Sequence, residues 1–355
     1  MQNKGRVVVA MSGGVDSSVA AALLKEQGYE VVGAFIKVWE PPKGWGGAAD
    51  VCNWRAERRE AMRAAAKLEI PLLTFDLSEE YKKGVVDYMI AEYRAGRTPN
   101  PDVMCNKEIK FGAFWQAVKA KIKPDFIATG HYAISKKGQL YRAKDKTKEQ
   151  SYFLWAIAPK LLPKIIFPIG NLRKVEVRKL AKNLGLPNAE KPDSQGLCFI
   201  GKIDFKDFLK NFIKEKPGKV LNEKGEVVGK HPGATFFTLG ERHGFILDKQ
   251  TPNEEKHYVI AKDLKKNTLT VASRAQTKVH DRELLLTNTN WHQLPKPNQI
   301  YQAQIRYHGK EHPCRVKQKG KNWLVLFEQT PDFPAAGQSL VVYDGSLCLG
   351  GGVIA

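Results

Sequence analysis

The sequence predicts an α/β fold in which a parallel sheet wrapped by helices is followed by a small β-rich domain and a C-terminal β-barrel. In the first 200 residues, short apolar runs alternate with amphipathic segments, which is typical of a parallel sheet with helical crossovers. From about Pro217 the chain becomes rich in glycine, threonine and short strand-like runs. From about Glu283 it is nearly all strand and turn, which is typical of a small barrel.

The N-terminal part contains four apolar runs that we interpret as strands and five segments that we interpret as helices. The run at residues 7–9 is all valine, as expected for a strand buried on both faces. The predicted strands are residues 6–11, 31–37, 72–77 and 125–129. The predicted helices are residues 16–27, 56–68, 79–95, 110–121 and 174–184. Gly185 and Pro187 end the last of these helices.

The strands predicted after Pro217 are shorter and fall into two groups. The first group is residues 219–221, 227–228, 235–239, 257–261 and 268–272. The second group is residues 284–289, 301–307, 312–316, 323–327 and 339–343. We therefore place a parallel-sheet domain at residues 1–210, a central β-rich domain at residues 211–280 and the barrel at residues 281–355, in keeping with a typical domain size of roughly 150 residues.

The composition is that of a globular protein with a large excess of positive charge. Lysine and arginine number 57 against 37 aspartate and glutamate, a formal net charge of +20. This excess favours a polyanionic partner, because each neutralised phosphate releases counterions. The first apolar run is too short for a signal peptide, and no stretch approaches the roughly 20 apolar residues of a membrane span. We expect a cytoplasmic protein that binds nucleic acid and no membrane.

The five cysteines show neither CxxC spacing nor a zinc-type pattern with histidine. An odd, sparse set without a signal segment favours reduced thiols over a disulfide scaffold. We predict no resident metal site from these residues.

Residues 11–18 read MSGGVDSS and combine a strand end, a glycine turn and a helix start. The N–H groups and the dipole of a helix N-terminus favour an anion, and glycines let a phosphate approach the backbone. A carboxylate beside phosphates, here Asp16, indicates a bridging magnesium ion. The segment therefore predicts a nucleotide phosphate site.

Other interpretations of the glycine-rich segments explain fewer residues. A Walker P-loop needs Gly-Lys followed by Ser or Thr, and neither triplet occurs in the chain. A hydrolase with Ser12 in a nucleophile elbow, or a capped turn without a ligand, gives no reason for Asp16 and the two serines after it. Residues 44–49 loosely fit a dinucleotide pattern, but they follow two prolines and not a strand, so we expect a mobile loop.

A second dense segment, residues 97–107, surrounds Cys105. Two prolines restrain the loop before it, and Asp102 lies three residues ahead of the thiol. We expect Cys105 to begin a helix, where the dipole and Lys107 lower the pKa of the thiol. A buried, inert cysteine is the alternative.

A third segment, residues 193–201, reads DSQGLCFIG and contains Cys198. This cysteine heads a short apolar run, so a core thiol and a reactive thiol are both compatible with the sequence. Because Cys105 and Cys198 are far apart in the chain, only the fold can bring them together.

Long blocks distributed over the whole chain together resemble the tRNA-specific 2-thiouridylase family. These blocks are AMSGGVDSS, AGRTPNPDVMCNKEIKF, ATGHYA, KDKTKEQSYFLW, DSQGLCFIG, TLGERHGF and GQSLVVYDGSLCLGGGVI. The first block by itself is similar to the pyrophosphate loop of the N-type ATP pyrophosphatases, which split ATP between the α and β phosphates. The resemblance implies an adenine nucleotide alpha hydrolase-like domain, the ligands ATP and Mg²⁺, and two partners: tRNA and a protein that donates persulfide sulfur.

The family's activity, as the resemblance implies it, is ATP-dependent 2-thiolation of the wobble uridine at tRNA position 34. The uridine 2-oxygen is adenylylated, and persulfide sulfur carried by Cys198 replaces it. Cys105 is the partner thiol, so that a Cys105–Cys198 disulfide remains, and Asp102 acts as an acid or base.

The resemblance also implies which residues contact each ligand. The expected ATP residues are Ala10, Met11, Ser12, Gly13, Gly14, Val15, Asp16, Ser17, Ser18, Ile36 and Gly130. The expected residues at the target base are Asn100, Pro101 and Asp102, and those at the tRNA are His131, Lys148, Glu149, Gln150, Arg306, Tyr307 and Gln338. The chain departs from the family pattern at Ile36, where methionine is common, and at residues 241–243, where Glu-Arg-His replaces Gln-Arg-Lys.

The basic stretch at residues 135–151 would contact RNA phosphates if it forms a hairpin, and a solvated charged loop is the alternative. Two other functions stay open at the level of sequence. A ligase that adenylylates a small molecule would leave Cys105 and Cys198 without a role. A non-catalytic RNA-binding protein would not need the ATP turn.

Overall fold

The computed structural model describes residues 4–39, 54–193, 205–248, 256–273 and 282–355. The first seven strands are β1 (Arg6–Ala10), β2 (Glu30–Lys37), β3 (Leu72–Asp76), β4 (Phe126–Thr129), β5 (Ala133–Lys136), β6 (Gln139–Arg142) and β7 (Ile165–Ile166). Five of them form a parallel sheet in the order β3-β2-β1-β4-β7. The three valines of β1 are fully buried, as their continuous apolar run predicts.

Helices cover both faces of this sheet. They are α1 (Val15–Glu26), α2 (Trp54–Lys67), α3 (Ser78–Tyr81), α4 (Tyr88–Arg94), α5 (Pro101–Met104), α6 (Phe114–Lys121), α7 (Lys174–Asn183) and α8 (Phe205–Lys210). The apolar residues of α1, α2 and α7 share one core with one face of the sheet. Those of α3 to α6 belong to the core on the other face. The predicted parallel-sheet domain is therefore confirmed.

Two π-helical segments join neighbouring helices into longer ones. The segment Lys82–Asp87 joins α3 to α4, and Cys105–Ala113 joins α5 to α6, giving continuous helices over residues 78–94 and 101–121. The expectation that a helix begins at Cys105 is wrong. The helix begins at Pro101, because Asn100 caps it by accepting the Val103 N–H at 3.2 Å. Cys105 therefore lies a full turn inside the helix, and the proposed dipole effect on its thiol loses its basis.

The central domain contains a five-stranded mixed sheet. Its strands are β8 (Gly218–Leu221), β9 (Val227–His231), β10 (Ile246–Leu247), β11 (His257–Asp263) and β12 (Thr268–Ser273). Their order in the sheet is β10-β9-β8-β12-β11. The strand predicted at residues 235–239 does not form. A 3₁₀ turn, Ala234–Phe236, occupies this position, since it directs the consecutive rings of Phe236 and Phe237 into the core, which a strand cannot do.

The C-terminal part is a closed six-stranded barrel. Its strands are β13 (Glu283–Trp291), β14 (Tyr301–Gln304), β15 (Glu311–Lys319), β16 (Asn322–Phe327), β17 (Ser339–Asp344) and β18 (Leu347–Ile354). Pairing of β13 with β18 closes the barrel. The strand β18 was not among the predicted strands because its glycines are unfavourable in isolated strands. Here they are required, since a Cβ on Gly350 would overlap the Asn290 carbonyl oxygen and one on Gly351 that of Leu340.

The hairpin β5–β6 connects the N-terminal parallel-sheet domain to the barrel. It lies within the basic stretch of the sequence, and β6 pairs with β18. The Arg142 guanidinium stacks 3.6 Å above the Tyr343 ring and forms a 2.8 Å ion pair with Glu311. At least this cation of the predicted RNA hairpin is therefore engaged by the protein itself.

Among the described residues, no helix has the length and apolar character that crossing a membrane requires.

Substituting Gly350 with alanine tests whether the glycine run closes the barrel. Gly350 has φ +130° and faces backbone, so we expect a loss of about 3 kcal/mol in the free energy of unfolding, from strain and overlap together. Gly320→Ala is the matched control, because Gly320 has φ +61° but open space around its Cβ position. Urea unfolding followed by tryptophan fluorescence measures both. Equal losses in the two variants would contradict this explanation.

Candidate active site

The predicted phosphate loop lies where the order of the parallel sheet reverses. The chain leaves β1 in one direction and β4 in the other, which creates a crevice at the carboxyl edge of the sheet. Residues 11–14 cross this edge and lead into α1, with Gly14 as its N-cap. The first N–H groups of a helix have no partner within the helix and suit an anion. Gly13 has φ +79°, and a Cβ there would overlap the Glu57 carbonyl oxygen, so only glycine fits.

The three serines of the loop have different roles. Ser17 and Ser18 are buried, and each hydroxyl donates to the Gly14 carbonyl at 3.1 Å. Asn188 donates to the Ser18 hydroxyl at 2.9 Å. Ser12 is exposed, and its hydroxyl lies 3.4 Å from that of Ser17. The inner serines stabilise the loop, while Ser12 is accessible to a ligand. Within the described ranges no histidine contacts Ser12, so a Ser–His hydrolase pair does not form.

The carboxylate of Asp16 is held by two side chains from outside the loop. Lys174 Nζ lies 2.7 Å from each of its oxygens, and the Tyr132 hydroxyl donates to Oδ1 at 2.9 Å. Burial and the nearby Asp16 charge raise the pKa of Tyr132, so this hydroxyl stays a donor. The loop is thereby tied to the start of α7 and to the end of β4.

Asp193 is the second carboxylate bound by Lys174, at 2.8 Å. It also accepts from Lys148 at 2.7 Å and from Arg178 at 2.8 Å. Partial burial opposes ionisation of Asp193, but the hydrogen bonds from Lys148 and Lys174 outweigh it and lower its pKa to about 2. Lys174 therefore bridges two carboxylates, that of Asp16 in the loop and that of Asp193.

The end of β4 packs directly on the loop. A Cβ on Gly130 would lie 2.6 Å from the Ser17 nitrogen, so this position has room only for glycine. Ile36 lies near the carboxyl end of β2, and the Met11 N–H donates to Ala34 of the same strand at 2.8 Å. The structure thus brings the predicted ATP residues to one edge of the sheet.

The predicted base-binding residues lie at the start of helix 101–121. Asp102 and Cys105 are three residues apart on this helix and share a side of it. Cys105 is only 6% exposed. Burial raises the pKa of Asp102, and the positive charge of Lys110 offsets part of this effect. A carboxyl group of this kind holds a proton more tightly than ordinary aspartate and suits proton transfer.

His131 connects the two parts of the site. It follows Gly130 at the end of β4, and its ring lies 6.1 Å from that of Phe111 on helix 101–121. Burial and the charge of Lys110 hold its pKa well below the usual range, so the ring is neutral at pH 7. Because His131 follows Gly130 and its ring contacts Phe111, the phosphate edge and the base-binding helix adjoin.

All three predicted tRNA residues in the segment 148–150 contact the protein itself. Lys148 pairs with Asp193, as described above. Glu149 is buried and accepts the Ser151 N–H at 2.6 Å. Gln150 accepts the Tyr132 N–H at 2.9 Å. These contacts shape the site, and direct contact of the segment with tRNA stays a prediction.

The barrel residues predicted to contact tRNA divide into two kinds. Arg306 and Gln338 donate to backbone carbonyls of neighbouring domains. Tyr307 is 37% exposed, and its ring lies 4.3 Å from that of Phe153. Tyr307 therefore offers an aromatic surface for a base.

A cavity of about 860 Å³ opens between helix 101–121 and the barrel, next to Asn100. Its lining includes Trp115, Trp155 and four lysines: Lys107, Lys119, Lys160 and Lys164. The only acidic residue in this lining is Glu108, which pairs with Lys107 at 2.9 Å. Aromatic rings with an excess of lysine match the chemistry of single-stranded nucleic acid.

Cys198 and the predicted Cys105–Cys198 disulfide lie outside the described residues. The barrel cysteines Cys314 and Cys348 are buried, and burial raises the pKa of each thiol to about 12, so they are unreactive at neutral pH. In the part of the chain that the structure describes, no three His, Cys, Asp or Glu side chains are grouped to hold a metal ion.

Sequence reasoning missed several residues of this site. Tyr132 lies in the ATGHYA block, which marked the region without giving the tyrosine a role. Lys174 and Arg178 had no signal, since a lysine and an arginine on an amphipathic helix usually face solvent. Only the fold places them beside two carboxylates.

Replacing Lys174 with methionine tests the bridge between the carboxylates. Without the ammonium group, Asp16 loses its ion pair and the region beside the loop loses one positive charge, while Asp193 keeps Lys148 and Arg178. We therefore expect ATP affinity to fall about tenfold, or about 1.4 kcal/mol. Lys179→Met is the matched control, because Lys179 is exposed on the same helix. Calorimetric titration with magnesium and ATP measures both variants. Equal affinities would show that the bridge has no part in nucleotide binding.

Comparisons with known proteins agree along the whole chain. Three family models match: a tRNA methyl transferase HUP domain at residues 5–202, a tRNA methyl transferase PRC-barrel domain at 206–273 and an aminomethyltransferase beta-barrel domain at 281–354. A tRNA-specific 2-thiouridylase MnmA of Nitrosomonas eutropha is 42% identical over 99% of both chains. That of Pseudomonas fluorescens strain SBW25 is 41% identical over 99% of this chain and 95% of its own.

Two solved structures match part of the chain at low similarity. A 4-thiouridine synthetase–RNA complex with bound ATP has a TM-score of 0.37 and 18% identity, covering 56% of this chain and 46% of that one. The U34-tRNA thiolase NcsA of Methanococcus maripaludis has a TM-score of 0.31 and 19% identity, covering 56% and 62%. The curated relatives are far more similar and span nearly the whole chain, and on that basis this chain belongs to the tRNA-specific 2-thiouridylase family.

Proposed function

We propose that this enzyme uses ATP to replace the 2-oxygen of the wobble uridine, position 34 of tRNA, with sulfur. The observation that carries the proposal is the meeting of two features at His131: the phosphate loop of residues 11–18 and the helix that bears Asp102 and Cys105. A nucleotide loop alone suits any adenylylating ligase. A partly buried carboxyl group and a thiol beside it suit a reaction that activates an oxygen and then displaces it.

The first step makes the uridine 2-oxygen a leaving group. The oxygen attacks the α-phosphorus of ATP, pyrophosphate leaves, and N3 of the uridine loses its proton. We assign Asp102 as the base, since burial gives its carboxylate a higher proton affinity than that of an exposed aspartate. The loop and the first turn of α1 hold the phosphates of the nucleotide.

Magnesium fits this arrangement, because Asp16 Oδ2 accepts from Lys174 and keeps a second lone pair for the ion. Asp16 is the one carboxylate within residues 11–18, and one carboxylate together with nucleotide phosphates is a common donor set for this ion. Asp16 would hold the ion against the phosphates, where its charge favours departure of pyrophosphate.

The second step moves sulfur. The terminal sulfur of a persulfide on Cys198 attacks C2, the C2–O bond breaks, and AMP leaves. The Cys105 thiolate then attacks the γ-sulfur of Cys198, which forms the Cys105–Cys198 disulfide and releases 2-thiouridine. Asp102 returns the proton to N3, and a thiol reductant must supply two electrons to restore both cysteines. The position of Cys105 supports the role proposed for it. The role proposed for Cys198 rests on the resemblance of the sequence block DSQGLCFIG.

The tRNA must present an unstacked base to reach Asp102. A uridine in the anticodon loop costs less to extrude than a paired base. The exposed ring of Tyr307 and the lysine-lined cavity beside Asn100 supply stacking and phosphate contacts for the neighbouring nucleotides. The sulfur itself comes from a second protein that carries a persulfide.

Mass analysis of tRNA nucleosides tests the proposal. The full chain is incubated with ATP, magnesium, a cysteine desulfurase with cysteine as persulfide source, and a tRNA transcript with uridine or cytidine at position 34. We expect one oxygen to be exchanged for sulfur in the first transcript only, with AMP formation that depends on tRNA. AMP formed with a small acceptor and no tRNA would favour a small-molecule ligase. RNA binding without AMP would favour a non-catalytic protein.

Replacing Cys105 with serine separates the two steps. The hydroxyl cannot release sulfur from the persulfide adduct, so we expect AMP to form while multiple-turnover thiolation falls at least about a hundredfold. Cys314→Ala is the control, because that thiol is buried in the barrel. Unchanged thiolation by the serine variant would remove Cys105 from the mechanism.

Replacing Asp102 with asparagine should lower the activity and raise the stability of the protein. Burial raises the pKa of Asp102 in the native protein above its value in the unfolded chain. The free energy of unfolding therefore falls as the pH rises from the unfolded pKa through the native pKa, and the ionised carboxylate destabilises the native protein at neutral pH. The neutral amide removes this cost, so we expect a higher melting temperature at pH 7 and loss of AMP formation. Below the unfolded pKa of the carboxyl group the two proteins should melt alike. Lower stability at pH 7 would indicate a structural role for Asp102.

A further inference from the structure

The three residues before the base-binding helix, Arg97–Pro99, are held by both other domains; we call them the junction segment. The Thr98 N–H donates to the Ala336 carbonyl at 2.8 Å, so the barrel holds one side. The Thr98 hydroxyl lies 3.0 Å from that of Thr238, so the central domain holds the other. Thr98 is only 7% exposed. The segment is therefore enclosed where the three domains meet.

Close packing leaves the junction segment little freedom. Gly337 has φ +90°, and a Cβ there would lie 2.9 Å from both the nitrogen and the oxygen of Thr98. Gly96 has φ +77°, and a Cβ there would overlap the side chain of Leu264 in the central domain. Gly337 permits close approach to the Thr98 backbone, and Gly96 permits close approach to the Leu264 side chain; a Cβ would obstruct both.

Gln338 supplies the side-chain contacts that complete this enclosure. Its Nε2 donates to the Thr98 carbonyl at 3.0 Å and to the Pro99 carbonyl at 3.3 Å. Its own backbone is fixed to the last barrel strand, because its carbonyl accepts the Ile354 N–H at 2.9 Å. The amide thus connects the barrel wall to the two residues that precede Asn100.

Neighbouring contacts reinforce the same connection. The Tyr152 hydroxyl donates to the carbonyl of Ser339, next to Gln338, at 2.8 Å. Arg306 donates to the carbonyls of Leu239 at 2.7 Å and Phe333 at 2.8 Å, which joins the barrel to the central domain beside Thr238.

We propose that Gln338 is a positioning residue: by holding the Thr98 and Pro99 carbonyls, it fixes the start of helix 101–121 and hence the orientation of the base on its first turn. The proposal rests on the thiolation function proposed above. Direct contact of Gln338 with tRNA, which the sequence resemblance implies, stays a separate prediction. The donors of the amide are used on protein carbonyls, and loss of this contact frees the loop just before Asn100.

The physical consequence is loss of alignment with retention of binding. A displacement of about 1 Å at a reacting group can cost up to about a hundredfold in rate. A looser helix start also exposes Asp102 to more water, which lowers its raised pKa toward that of an ordinary aspartate. Interactions that only bind tRNA would change KM and leave both of these properties intact.

The experiment compares Gln338→Met with Gln299→Met. Methionine keeps the length of the side chain and removes the donor. Gln299 is the matched control, since it is also in the barrel and donates through Nε2, to Asp344 at 3.0 Å. Thiolation is measured as kcat and tRNA KM across the acid limb of the pH profile. Hydrogen exchange of the peptide spanning residues 97–105 is measured in the same proteins without substrate.

For Gln338→Met we expect kcat to fall about tenfold or more with an unchanged tRNA KM, an acid limb shifted to lower pH, and faster exchange in the peptide. A raised KM with unchanged kcat and exchange would overturn the proposal in favour of a tRNA ligand. No difference from Gln299→Met would overturn it as well. If Gln338→Met does not fold, Thr98→Val tests the same segment from the side of Thr238. Absence of thiolation by the unmodified enzyme would instead refute the proposed function, and the exchange measurement would still decide the positioning role.

Discussion

The site depends on one constraint of the parallel sheet: the chain leaves β1 toward β2, on one side, and leaves β4 toward β7, on the other. The loop after β1 and the turn after β4 meet so closely that Gly130 touches the backbone of α1. Because of this contact, the residue after Gly130 leaves the phosphate edge and reaches helix 101–121. The sheet thereby places the phosphate loop beside the helix that bears Asp102, and the barrel and central domain refine an arrangement that the sheet has already set.

Charge is concentrated in this region at a cost to stability. Lys174 and its two carboxylates are partly buried, as are Asp102 and Lys110, and such groups rarely contribute net stability compared with apolar side chains. Their retention is more readily explained by function: the first set shapes the phosphate loop, and the second adjusts the proton affinity of a carboxyl group. The structural contacts of Glu149, Gln150, Arg306 and Gln338 then serve to keep these charges in place.

Sequence alone predicted the features that depend on local patterns. The valine run of β1, the glycine turn after it and the order of three structural regions follow from apolar periodicity and turn chemistry. Features that depend on distant partners could not be predicted. From the sequence, the glycines of β18 are poor strand formers; the structure shows that Asn290 and Leu340 leave no room for a Cβ there. Likewise, the sequence predicts Lys174 as a surface lysine, whereas the structure pairs it with Asp16 and Asp193. The π-helical widening at Cys105 has no simple sequence signal, and the cap formed by Asn100 places the helix start at Pro101.

The pairing of β6 with β18 means that the catalytic chain contributes two strands to the sheet of the barrel. Removal of the barrel would uncover β6 as an edge strand with unpaired N–H and C=O groups, which invites association between molecules. It would also expose the aromatic face of Tyr152 and leave Arg142 without its stacking partner. The architecture is therefore not a series of separable modules, and a shortened form of the enzyme needs a redesigned edge as well as a new terminus.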